Sequence, residues 1–210
     1  MIKNIVFDMG NVVIRFDPNL FMEREGVAAE DRQLLLREVY RAPEWAMMDR
    51  GSLTDEQAAE IMCARVPERL RDVVPRLVAF YDRPILEIDG IYDLIKELKG
   101  LNYSVYLLSN ASCRQHDYWP RVPAAALFDG KLISCDVKLI KPMPEIYLCL
   151  CQKFGLKADE CFFIDDNTVN VEAAIYTGMH AVVFFDDIVR LRRELNKAGV
   201  PVRQMESTPD

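Results

Sequence analysis

The stretch NIVFDMGNVV, Asn4 to Val13, decides how the chain folds. Ile5, Val6 and Phe7 run without interruption into Asp8, a glycine follows at position 10, and a second apolar run starts at Val12. A short, continuous apolar run that stops at a turn residue reads as a strand buried on both faces. This strand spends its burial on delivering one carboxylate to its carboxyl end.

Working outward, SVYLLS (104–109), CFFID (161–165) and AVVFF (181–185) repeat the pattern, with KLISCD (131–136) a weaker fifth. Buried strands separated by helical segments predict an α/β protein with a parallel sheet covered on both sides. The first two strands are too far apart for one crossover helix. EDRQLLLREVYRAPEWAMMDR, SLTDEQAAEIMCARV and ERLRDVVPRLVAFYD, lying between them, all read as helical. Ser52 or Thr54 is placed to cap the second. The expected organisation is an α/β core of residues 1–15 and 86–210 with a helical lobe, residues 16–85, seated over the sheet. PILEIDGIYDLIKELKGLN returns to the core as an amphipathic helix, and the tail RQMESTPD reads as frayed.

The chain has 210 residues, half of them hydrophobic and 28% charged, which suits one core plus a smaller lobe. A net charge of −7 without a basic run argues against nucleic acid as a partner. No stretch approaches the roughly 20 apolar residues of a membrane span. Six cysteines without C-x-x-C spacing, and no charged-then-apolar leader, point to a reducing cytoplasm. Cys149 and Cys151 read as core packing. With only His116 and His180, histidine zinc sites and serine triads have little material. A monomer or a dimer is compatible with the sequence.

In parallel α/β sheets ligands bind beyond the carboxyl ends of the strands. Asp8, then Ser109 and Asn110, then Asp165 and Asp166 occupy three such ends. One aspartate after a strand is usually a turn or cap residue, but three ends carrying three carboxylates, a hydroxyl and an amide point to a site. Neighbouring anions repel unless one is protonated or a cation intervenes. A hard divalent ion, Mg²⁺, suits oxygen ligands shared with waters and a phosphate. Lys141, immediately before the helix of KPMPEIYLCL, supplies positive charge for an anionic ligand.

Four segments together resemble the motifs of the haloacid dehalogenase superfamily, in order: FDMGNVV, LLSN, KPMPEIY and FIDDNTVN. The similarity covers nearly the whole length. It is closer to the bacterial sugar-phosphate phosphatases related to α-D-glucose-1-phosphate phosphatase, through DMGNVV, YWP and FIDDN. The resemblance implies a Rossmann-like core with an inserted helical cap, and a small phosphorylated metabolite as substrate. It makes Asp8 the nucleophile, with Ser109 and Asn110 holding phosphate and Lys141 balancing the charge. It assigns Mg²⁺ to Asp8, the carbonyl of Gly10 and Asp166, with Asp165 helping directly or through water, and leaves Asn170 an outer role. In MMDRGSLT it points to Arg50, with Asp49, as a loop that could face the substrate.

Gly10 departs from the resemblance, because most phosphatases of this superfamily carry there the aspartate that protonates the leaving group. A 2-haloacid dehalogenase and a non-catalytic phosphate-binding module therefore remain as alternatives. On Gly10 alone, the rate should fall steeply as the leaving group becomes more basic.

Overall fold

A computed structural model describes residues 1–79 and 84–205. Five strands, β1 (Asn4–Phe7), β2 (Ser104–Ser109), β3 (Gly130–Ile133), β4 (Cys161–Asp165) and β5 (His180–Val183), form one wholly parallel sheet in the order β3-β2-β1-β4-β5. The α/β class follows directly. KLISCD splits, because its first half ends the strand and Ser134–Val137 turns into a short helix. The fifth strand stops at Val183, and Phe185, expected inside it, is exposed.

Strand alternation sends Ile5 and Phe7 into one layer and Val6 into the other. Ile91, Leu94, Ile95 and Leu98 cover the first face, and Ile146, Tyr147 and Leu150 the second. Each such fully buried side chain contributes roughly 1.5–3 kcal/mol through its removal from water.

Between β1 and β2 the chain folds into α1 (Pro18–Arg24), α2 (Ala29–Leu35), α3 (Pro43–Asp49), α4 (Asp55–Cys63) and α5 (Val74–Val78). The long run expected as one helix breaks at Arg41–Ala42, where Pro43 opens α3. Thr54 caps α4 in a reciprocal box with Gln57. These helices share a cluster of their own, including Met22, Leu35, Met48, Met62 and Leu77. The chain leaves and re-enters the α/β part side by side: Ile14 bridges Glu87, and Arg15 N donates to Leu86 O at 2.8 Å. The last residues expected in the final helix of the insert, 80–82, lie outside the described residues, as does most of the expected frayed tail.

Within the α/β part the remaining helices are α6 (Ile91–Gly100), α7 (Gln115–Tyr118), α8 (Ser134–Val137), α9 (Pro144–Phe154), α10 (Thr168–Tyr176) and α11 (Ile188–Lys197). Helix α9 starts at Pro144, so Lys141, expected immediately before the helix, stands three residues ahead of its first residue. Among the described residues, no helix is long and apolar enough to cross a membrane.

Candidate active site

The direction of winding reverses at β1, which has β2 on one side and β4 on the other. Crevices in such sheets open at this point, beyond the strand ends. Asp8 N donates to Ile164 O at 2.8 Å, which sets Asp8 level with Asp165 across the crevice. Both are buried, Asp165 completely. Asp166, one residue further, is exposed, because successive residues at a strand end face opposite ways.

Between the two buried carboxylates stands Lys141, itself 3% exposed. Its Nζ donates to Asp8 Oδ1 and to Asp165 Oδ2, each at 2.6 Å. The loop that carries it is fixed by Asn110: Lys141 N donates to Asn110 Oδ1 at 2.8 Å and Asn110 Nδ2 donates to Lys141 O at 2.9 Å. The amide expected to hold phosphate thus holds the lysine's backbone.

Asp165 receives four bonds: from Lys141, from Asn167 N at 2.8 Å, and from Asn170 Nδ2 at 3.0 and 3.1 Å. That fills the acceptor capacity of a carboxylate. Asn170 is in turn held through its backbone carbonyl by Tyr147 Oη at 2.8 Å. Asn11 takes a left-handed backbone, φ 55°, accepts from Phe16 N at 2.9 Å and donates to Asp166 at 3.2 Å.

Burial pushes the Asp8 carboxyl up to about 7, against Lys141 and with the added repulsion of Asp165 and Asp166. Burial also opposes the charge on Lys141, but Asp8 and Asp165 more than reverse this and hold the ammonium above its ordinary value. Asp166, though its side chain reaches solvent, is raised by partial desolvation, offset in part by the hydrogen bond from Asn11. The assembly therefore carries surplus negative charge that wants a cation.

A pocket of about 300 Å³ opens on this cluster. Asp8, Gly10, Asn110, Lys141 and Asp166 line it, joined by Asn11, Asn167 and Asn170 from the sheet ends. Ser109 and Asp165 are buried and outside the lining. From the insert come Phe16, Trp45 and Asp49. Arg50 is exposed and does not line the pocket, since α3 ends at Asp49 and turns the next side chain to solvent.

The turn that carries Asp49 is docked on α8. Ser134 Oγ donates to Asp49 O, and Lys138 Nζ donates to Gly51 O at 2.6 Å. Gly51 has φ 71°, and a Cβ there would lie 2.7 Å from Cys135 O, so both conformation and proximity require glycine. Asp55, at the start of α4, adds a second tie by accepting from Arg114 Nε at 3.0 Å and Ser112 Oγ at 3.3 Å.

The haloacid dehalogenase-like hydrolase family matches residues 2–178. The chain is 27% identical to phosphoglycolate phosphatase of Mannheimia succiniciproducens, over 86% of this chain and 84% of that protein. It is 26% identical to D-ribitol-5-phosphate phosphatase of Bacteroides thetaiotaomicron (81% and 86%) and 25% identical to (S)-2-haloacid dehalogenase 4A of Burkholderia cepacia (75% and 71%). Two further relatives are longer: the chain spans 46% of flavin mononucleotide hydrolase 1 of Arabidopsis thaliana and 38% of drimenol cyclase drtB of Aspergillus calidoustus. A HAD family enzyme of Bacteroides thetaiotaomicron, solved with magnesium and inorganic phosphate, shares the fold: TM-score 0.69, 20% identity, over 91% of this chain and 99% of that one.

Proposed function

Because the chain belongs to the haloacid dehalogenase-like hydrolase family, we propose that it is a Mg²⁺-dependent phosphatase of small phosphorylated metabolites, such as sugar 1-phosphates, acting through an aspartyl-phosphate on Asp8. The observation that carries this reading is the buried Lys141 clamped between Asp8 and Asp165, with Asp166 beside them at the pocket. The phosphatase relatives support the same reading, and the magnesium and phosphate bound by the structural neighbour support the cofactor.

The donor set fits the ion. Oxygens of Asp8, Asp165 and Asp166 lie within 4.8 Å of one another, and a hard dication prefers such ligands. Asp8, Asp166 and the carbonyl of Gly10 would hold it. Asp165, with its acceptor positions filled by N–H groups, would act by fixing Lys141. When bound, Mg²⁺ neutralises charge on the transferring phosphoryl group.

Lys141 bonds Asp8 through Oδ1, which leaves Oδ2 to attack phosphorus. The ammonium then faces an anion that has gained phosphoryl charge, and its attraction is stronger in the transition state than before attack. The helical insert serves as the cap, with Trp45 and Phe16 walling the space for the organic part of the substrate.

A panel of phosphate esters with Mg²⁺ tests this, read as inorganic phosphate released. Asp8→Asn should cut turnover to below about 10⁻⁴ of wild type while the fold persists, as removal of a covalent nucleophile does elsewhere. Excess chelator should stop the wild type reversibly. Activity on a 2-halo acid that survives chelation would replace the phosphatase with the dehalogenase; binding without turnover would leave a phosphate-binding module.

A further inference from the structure

Phosphoryl transfer to Asp8 leaves one requirement without a residue: a proton for the departing oxygen. The position two after Asp8 is glycine, and neither space nor backbone demands it. A Cβ on Gly10 would meet only Phe16 Cβ, at 3.6 Å, and its φ is not in the left-handed range. The absent carboxyl is therefore a chemical feature of the site, and another group has to supply the proton.

The polar groups that the α/β part contributes are already engaged. Asn11 is bonded at both ends of its amide, which has no acidic proton at neutral pH in any case. Asn110 holds the Lys141 backbone, Asn167 caps α10, and Asn170 donates to Asp165. Lys141 is locked between two carboxylates that hold its proton.

Asp49 is different. It lines the same pocket from the insert, and among the described residues no hydrogen bond holds its carboxyl. Its backbone, by contrast, is anchored by Ser134 and, two residues on, by Lys138. A free carboxyl on a fixed turn is what a proton donor requires.

We propose that Asp49 is the general acid and base of this phosphatase, handing its proton to the leaving oxygen and later taking one from the attacking water. Its surroundings suit the role: burial, together with Asp55 and Asp8, raises the carboxyl to about 7 against the pull of Lys141. The assignment rests on the phosphatase reading above. In the first half, the Asp8 Oδ2–P bond forms and the P–O bond to the alcohol breaks. The departing oxygen keeps the bonding pair and takes the Asp49 proton. In the second half, water oxygen bonds to phosphorus, its proton passes to the Asp49 carboxylate, and Asp8 leaves with the electron pair of its bond to phosphorus. Inorganic phosphate and a protonated Asp49 result. An acid on the insert, seated against the leaving group, reverses the expectation from Gly10 alone: the wild type should depend only weakly on leaving-group basicity.

The test is kcat/KM, with Mg²⁺, for wild type, Asp49→Asn and Asp49→Glu on esters running from p-nitrophenyl phosphate to a primary-alcohol phosphate. Asp49→Asn should lose about 10²–10⁴-fold on the alkyl ester and under about tenfold on the aryl ester, whose leaving group needs no proton. It should also release nitrophenolate in a burst equal to the enzyme present, because water attack on the phospho-enzyme is slowed as well. Asp49→Glu, with the same thermal midpoint, should recover part of the alkyl rate. An equal loss on every ester, or none, would overturn the assignment while leaving the phosphatase standing. Failure of the wild type to hydrolyse any ester would sink both.

Discussion

At the ends of β1 and β4 every charged group but Asp166 is buried and tied to its neighbours, whereas the α3–α4 turn anchors its backbone and leaves one carboxyl untied. The two regions face one pocket with opposite designs. In the proposed phosphatase the sheet ends would present an unchanging surface to phosphate, whatever molecule carries it, and a network with each member satisfied does that. On the same proposal the insert would meet the part of the substrate that varies, where a carboxyl free to lose and regain a proton belongs.

The contrast is broken most severely at Lys141. Replacing it with methionine leaves Asp8 and Asp165 buried without their shared cation, and losing one partner of a buried ion pair costs about 3–5 kcal/mol. The denaturation midpoint, measured in chelator so that no dication compensates, should fall accordingly, and phosphate release should vanish. A loss under about 1 kcal/mol would mean that the buried carboxylates stay neutral and the network is weaker than its geometry implies.

Gly51→Ala sharpens the comparison from the other side. The methyl would meet Cys135 O at 2.7 Å and Lys138 Nζ at 2.5 Å, in a backbone conformation that L residues rarely adopt. The turn must lift from α8 and carry Asp49 with it. Displacement of a positioned group by about 1 Å can cost on the order of 10²-fold. We therefore expect a fall of about 10- to 100-fold in kcat/KM on alkyl phosphates and a much smaller one on p-nitrophenyl phosphate, since the sheet-end cluster is untouched. Equal losses on both substrates would indicate that the turn supports the whole pocket and not the acid alone.

The same two regions differ in how far the amino-acid sequence discloses them. Asp8 and the Asp165–Asp166 pair are legible because β-branched and aromatic runs fix the strands, and strand ends converge in a parallel sheet; Lys141 is legible as a cation just ahead of a helix start. Pairing and alternation along β4 then decide between neighbours: Asp165 turns inward to Lys141 and Asp166 outward to the pocket. The partners of Asn110 were not legible, since its bonds to the Lys141 backbone join chain segments 31 residues apart. Nor did MMDRGSLT alone reveal which of Asp49 and Arg50 faces the site. Gly51 marks the end of α3, but the phase of that last turn is set by docking on Ser134 and Lys138, contacts more than 80 residues away along the chain.

Arg50 provides the smallest expected effect and a check on that last point. As a cation directly between Asp49 and Gly51, it is the residue that charge complementarity alone would select to meet an anionic substrate. Its exposed side chain lies outside the pocket lining, and in the proposed mechanism Lys141 already supplies the counter-charge to phosphate. Arg50 closes α3 through its backbone N–H, which Arg50→Ala retains, and exposed side-chain substitutions of that kind stay within about ±0.5 kcal/mol in stability. Arg50→Ala should accordingly leave the thermal midpoint in place and change kcat/KM by less than about threefold on alkyl and aryl phosphates alike, a shift that weak long-range attraction of the anion explains and that added salt removes. A large rise in KM confined to sugar phosphates would instead show that the turn swings when substrate enters. Arg50, and not only Asp49, would then belong to the part of the molecule that reads the leaving group.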